Sequence, residues 1–330
     1  ATAAAALYAA APGTGAGMDA PGGDCRNWRE TMPYRKLGRS GIVSSRLVFG
    51  GGAALSRGRV GGDRLLRRAF EAGINFYDLG FNDYYKGAER SFAPFLKAHR
   101  DDIWVVSKAA VPAPRDHQPG TPFSEEEAER MARHWTAKLD ASLKELGQDY
   151  VDGYYLMAVD SPDVVTCEAL YEAFRVAKAA GKVGRYGLST HKNAEACLAA
   201  AAETGWYDLA MIAVTPAGWY DWDSKSLLKD TPPLKKLRPA LDQARNAGIG
   251  LIGMKAVRFL APPMAGGKND DTAFDEIYDA RAMGAGLSPF QRSYAYLLEN
   301  GLDVVNADMQ NLKHLEENLV ATAKSAEYFA

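Results

Sequence analysis

The stretch CEALYEAFRVAKAAGKVGRYGLST, residues 167 to 190, holds one helix and the strand that follows it. Leu170, Phe174 and Ala177 keep the i, i+4, i+7 spacing of a single buried helix face. Gly181 then supplies the left-handed cap a helix end favours, and VGRYGLST reads as a strand. The unit repeats. Apolar strand-like runs stand at 45–51, 74–80, 103–110, 151–158, 183–190, 209–216, 249–256 and 302–309, with helical spacing between them. Gly73, Gly147, Gly181, Gly205, Gly248 and Gly301 punctuate the ends of the intervening segments.

Eight βα units whose strands are apolar enough to be covered on both faces predict α/β architecture, a closed (β/α)8 TIM barrel. An open dinucleotide-binding sheet fits less well, because GGGAALSRG near the first strand lacks the GxGxxG pattern and its distant acidic residue. Ahead of the barrel, PYRKLGRSGIVSSRLVFG is broken at GRSG, as a short β-hairpin across the barrel floor would be. Two regions follow: residues 1–32, an alanine- and glycine-rich tail, and residues 33–330, a single barrel. The tail suggests the remnant of a processed organelle or export signal, with a cytoplasmic protein as the alternative. Its apolar run is too short for a transmembrane segment, and no other segment supplies one.

Composition narrows the partners. With 39 basic and 41 acidic residues the net charge is -2, which offers no field for nucleic acid or an anionic membrane. A small molecule or a protein partner is expected. Cys25, Cys167 and Cys197 have no metal-ligand or disulfide spacing, so no metal site is expected.

In a barrel of this kind chemistry belongs to the C-terminal strand ends, here Asp78, Lys108, Met157, Ser189, Thr190, Thr215, Lys255 and Asn306 to Asp308. The ordered motifs RKLGRSG, GINFYDLG with Tyr84 and Tyr85 behind it, VVSKAA, LGQDYVDGYYL, GKVGRYGLST, GIGLIGMKA and HLEENL resemble the aldo-keto reductase family from residue 33 to about 320. The resemblance implies NADPH- or NADH-dependent reduction of a small carbonyl substrate by an Asp, Tyr, Lys and His set. Asp78 and Lys108 match the first and third. For the tyrosine the family's spacing lands on Asp83, so Tyr84 is chosen with Tyr85 as its rival.

The chemistry has its own logic. Hydride arriving at a carbonyl carbon leaves negative charge on oxygen, which a positioned acid must quench. A phenol is a reluctant donor at neutral pH, and a lysine ammonium beside it, oriented by an aspartate, stabilises the phenolate left behind. Where the family's strand ends on histidine, DGYYLM ends on Met157, whose thioether cannot donate. His191, just past LST, is the one histidine at the same face.

By the same resemblance, Ser189 and Thr190 would hold the nicotinamide amide, and Lys255, Gln310, Glu317 and Asn318 would serve the rest of the nucleotide. Asp308 falls where the family has glycine, so binding of NADP(H) or NAD(H) is expected to be weakened or lost. Arg258 or Lys313 could offset it. Two expectations stand side by side: a carbonyl reductase impaired at the histidine position, and a catalytically silent barrel that serves as a structural or regulatory subunit of a protein complex.

Overall fold

In the computed structural model, which describes residues 24–58, 60–263, 267–323 and 325–329, the eight apolar runs are strands. Two short strands precede them, β1 (Tyr34–Lys36) and β2 (Val43–Ser45), paired as an antiparallel hairpin. The barrel begins with β3 (Leu47–Gly50), β4 (Phe76–Asp78), β5 (Trp104–Ala110), β6 (Val151–Met157), β7 (Val183–Thr190) and β8 (Leu209–Thr215). After a second hairpin, β9 (Gly218–Asp221) and β10 (Ser226–Leu227), it ends with β11 (Gly250–Met254) and β12 (Val304–Asp308). Barrel neighbours pair in parallel, and the pairing of β7 with β8 closes the cylinder. This is a (β/α)8 barrel, as the repeating unit predicts.

The helices cover the outer face because their apolar stripes demand it. Helix Glu125–Leu146 starts at a capping box between Ser124 and Glu127, ends at Gly147 in left-handed geometry, and buries Met131, Trp135, Leu139 and Leu143. The β1–β2 hairpin crosses the floor as its broken alternation predicts. Leu37 and Ile42 are fully buried there. Gly38 has φ 47°, and a Cβ on it would lie 2.1 Å from the carbonyl oxygen of Gly248, so the hairpin can seat only on glycine.

A fourfold device locks the floor. At the start of alternate barrel strands a short polar side chain accepts the backbone N–H of the preceding strand. Asn75 takes Ser45, Asp152 takes Val105, Asp208 takes Tyr186 and Asp303 takes Leu251, at 2.7 to 3.0 Å. Each carboxylate is then matched by arginine. Asp152, only 1% exposed, has Arg100 at 3.0 Å, Arg26 at 3.8 Å and Arg185 at 3.9 Å. Asp208 has Arg39 at 3.3 Å, and Asp303 has Arg245 at 3.3 Å and Arg35 at 3.7 Å.

That device reaches back before residue 33. Arg26 also donates to the carbonyl of Ile103 at 2.8 Å and lies 3.5 Å over the Trp104 ring, while Met32 is buried. Residues 24–32, grouped with the tail by composition, are therefore packed against the barrel. The alanine-rich run itself lies in residues 1–23, outside the described residues. Among the described residues no helix is long and apolar enough to cross a membrane.

Candidate active site

The strand register brings the chemistry together at the C-terminal mouth. Gly50 of β3 stands opposite both Asp78 of β4 and Asp308 of β12. Asp78 is the hub. Its Oδ1 accepts the Lys108 ammonium at 2.6 Å, and its Oδ2 accepts the Asn306 amide at 2.7 Å. Lys108 donates again to the carbonyl of Leu79 at 2.5 Å and is 2% exposed, so its direction is fixed by two acceptors. Asn306 fits because Gly50 leaves room: a Cβ there would lie 2.5 Å from Asn306 Oδ1.

The two neighbouring tyrosines part company. Tyr84 is 50% exposed, and its ring packs edge-on against Tyr85. Tyr85 instead has its ring centroid 5.3 Å from Lys108 Nζ. It lies in a slot between two glycines, since a Cβ on Gly80 would come 2.0 Å from Tyr85 Cδ2 and one on Gly52 would come 2.4 Å from Cε1. The preference for Tyr84 is thus reversed by geometry. Residues 82 to 85 form a single helical turn, which sets the two tyrosines about 100° apart around its axis, with Tyr85 at Gly52 and Gly80. Burial holds the Tyr85 phenol well above its usual range, and the Asp78 carboxylate adds to that.

Met157 closes β6 at 4% exposure, and Ala158 follows with φ 55°. An apolar thioether therefore ends this strand. His191 sits across the mouth with its ring centroid 5.8 Å from that of Trp222. Burial first, then Lys255, Lys108, Arg258 and Lys225, push its imidazole down to about 3, so it is neutral at physiological pH.

Trp222 belongs to the turn between β9 and β10, and it organises a group of cations. Lys225 Nζ lies 3.1 Å from the ring centroid, Lys255 Nζ 4.4 Å and the Arg258 guanidinium carbon 4.9 Å. The other aromatics of this segment pack it. Trp219 is buried and donates to Glu195 at 2.9 Å, and Tyr220 is buried as well. Asp308 accepts from the Ala53 backbone and the Gln310 side chain; the crowded mouth raises its carboxyl, with Lys255 and Arg258 pulling the other way. Lys255 and Arg258 thus partly counter the Asp308 carboxylate.

The sequence of the Aldo/keto reductase family matches residues 59–328. This chain belongs to that family. L-glyceraldehyde 3-phosphate reductases from Escherichia coli strains K12 and O157:H7 are each 34% identical to it over 163 residues, 45% of this chain. The matched part spans 43% of the length of those relatives. Among solved structures, an assigned aldo-keto reductase from Pseudomonas aeruginosa superposes with TM-score 0.60 at 20% identity, covering 89% of this chain and 95% of its own. Another structure of an assigned aldo-keto reductase from that organism gives 0.58 at 21%, covering 89% and 96%. At that identity the likeness concerns the fold.

Of the aldo-keto reductase residues expected for a nucleotide, Ser189 is fully buried and its hydroxyl has no partner among the described residues. Thr190 is engaged, donating to the carbonyl of Lys192 at 2.6 Å. Glu317 accepts from Ser288 at 2.5 Å, and Asn318 is buried at 6% exposure. Gln310 and Lys313 line a cleft of about 340 Å³ that Gly61, Gly62 and Leu65 complete. Ser189 and Thr190 thus end β7 at the mouth, whereas Gln310 and Lys313 line the side cleft.

Three participants went unread in the sequence. Asn306 stood among the strand ends without a role, and Lys225 carried no motif. Glu89 had a signal: with Phe92 and Leu96 it falls on the i, i+3, i+7 apolar stripe of helix Ala88–His99, where a carboxylate has no ordinary place. It is 1% exposed, accepts from Ser107 beside Lys108 at 2.6 Å, and burial pushes its carboxyl up to about 7.

Proposed function

We propose that the protein reduces a small aldehyde or ketone at the expense of NADPH or NADH, with Tyr85 as the proton donor. The observation that carries this is the Asp78–Lys108 pair, 2.6 Å long, with the Tyr85 ring beside the ammonium at the barrel mouth. Its family supports the reaction class, and a relative named for L-glyceraldehyde 3-phosphate supports an aldehyde.

The residues fit a nicotinamide nucleotide. Ser189 offers a buried, unpartnered hydroxyl for the carboxamide, Lys255 and Arg258 offer charge for phosphates, and the side cleft with Gln310 and Lys313 offers room for the adenosine end. When bound, that group supplies the hydride. Tyr85 keeps its proton at neutral pH because its phenol is raised, yet an alkoxide is a far stronger base, so transfer to the substrate oxygen runs downhill. Lys108 steadies the phenolate that remains, and Asp78, held from the other side by Asn306, keeps the ammonium aimed. Met157 contributes no hydrogen bond to the substrate oxygen, a loss typically worth about 10² to 10³ in rate.

The test is NADPH oxidation with a panel of short aldehydes. Tyr85→Phe should lower kcat by about 10² or more, Tyr84→Phe should leave it unchanged, and Met157→His should raise it. Equal losses at Tyr84 and Tyr85 would remove the assignment. Failure to bind NADPH at all would favour the silent barrel acting within a protein assembly.

A further inference from the structure

Lys255 is the ionisable group at the mouth for which hydride transfer finds no chemical use. It directly follows β11, with its backbone in the left-handed region at φ 69°. A non-glycine residue stays there only where its surroundings hold it. Its Nζ projects over Trp222 at 4.4 Å and makes no hydrogen bond or ion pair among the described residues. By contrast, Lys108 is clamped by Asp78, and Lys192 by Asp160 at 2.9 Å and Asp223 at 2.6 Å.

We propose that Lys255 is a nucleophile that captures small aldehydes and ketones as an imine. The amine nitrogen adds to the carbonyl carbon, the carbonyl oxygen takes both amine protons and leaves as water, and a C=N bond replaces C=O. No oxidant or reductant enters the step. The requirement is a neutral amine within reach of a carbonyl, and lysines desolvated beside other cations meet it. Arg258 from the same loop, Lys225 from the β9–β10 turn and Lys108 from β5 all face Lys255, against the single carboxylate of Asp308, with His191 neutral beside Trp222. Burial and those cations push the amine down to about 7. The residue is mostly buried but keeps some exposed surface at the mouth, which is where a small carbonyl compound would reach it. The inference does not rest on the reductase reading, since imine formation needs no nucleotide. A bound phosphate would recharge Lys255 and silence it.

The experiment uses the whole protein free of nucleotide, with propionaldehyde and sodium cyanoborohydride at pH 7.5 and peptide mass mapping of every lysine. An ordinary lysine is neutral in about one part in 10³ at that pH. Lys255 should therefore be alkylated at least about tenfold faster than the exposed Lys36, with a rate that levels off above pH 7 while that of Lys36 keeps climbing. NADPH oxidation reports on the reductase separately. Labelling of Lys255 no faster than Lys36, or no labelling at all, would overturn the proposal. Lys255→Arg should abolish the fast phase and leave the labelling of Lys36 as it was.

Discussion

At the floor of the barrel one carboxylate, Asp152, is met by three arginines and a backbone N–H; at the mouth one indole, Trp222, is met by three cations. The floor places each of its carboxylates against arginine and a strand N–H, although Trp104 Nε1 and Arg245 Nε are buried there without acceptors among the described residues. The mouth leaves the Ser189 hydroxyl buried without a partner among the described residues and crowds like charges around Lys255. Satisfied groups make a floor that holds the strands together. Uncompensated cations at the mouth are what a ligand's opposite charge would meet.

The largest break in this comparison should come from Asp152→Ala. It removes the buried carboxylate shared by Arg26, Arg100 and Arg185 and leaves the buried Val105 N–H without its acceptor. Urea denaturation should report a loss of about 3–5 kcal/mol. Gly80→Ala attacks the mouth instead. The added methyl would displace the Tyr85 ring, costing about 1–3 kcal/mol in stability and most of any carbonyl reductase activity. Activity lost at the floor without loss of stability would contradict the division.

Glu89→Gln gives a pH-dependent effect. The Glu89 carboxyl is raised in the folded state from its ordinary 4.5 to about 7. A raised carboxyl favours the folded protein least when both states could ionise, so the stability of the native sequence falls as pH rises from 4.5 through 7 and is flat above. Glutamine has no such loss. Thermal melts of Glu89→Gln should match the native protein at pH 4.5 and exceed it at pH 8 by on the order of 2 kcal/mol. The smallest effect belongs to Arg35→Ala. Arg35 is 60% exposed and 3.7 Å from Asp303, so its removal should cost less than about 1 kcal/mol.

The fold was legible because periodicity is local: Leu170, Phe174 and Ala177 declare their helix face, and the glycines declare its end, without any distant contact. Asp78, Lys108 and the substitution at Met157 were legible for the same reason, each lying at the end of a recognisable strand. Glu89 was legible in principle, as a carboxylate on an apolar stripe. The floor device was half-visible, since Asn75, Asp152, Asp208 and Asp303 each stand at or just before an apolar run.

Sequence by itself thus determined the barrel, its hairpin and the strand ends that could carry chemistry, since hydrophobic spacing and turn residues act within a few positions of the chain. Tertiary structure alone decided that Tyr85 rather than Tyr84 lies beside Lys108. That choice depends on the space at Gly52 and Gly80, which belong to two different strand ends. It also brought Lys255 and Arg258, from the loop after β11, to Trp222 and Lys225 in the β9–β10 turn. Charge coupling and steric room act through space, and the two loops, after β9 and after β11, become neighbours only when the cylinder closes.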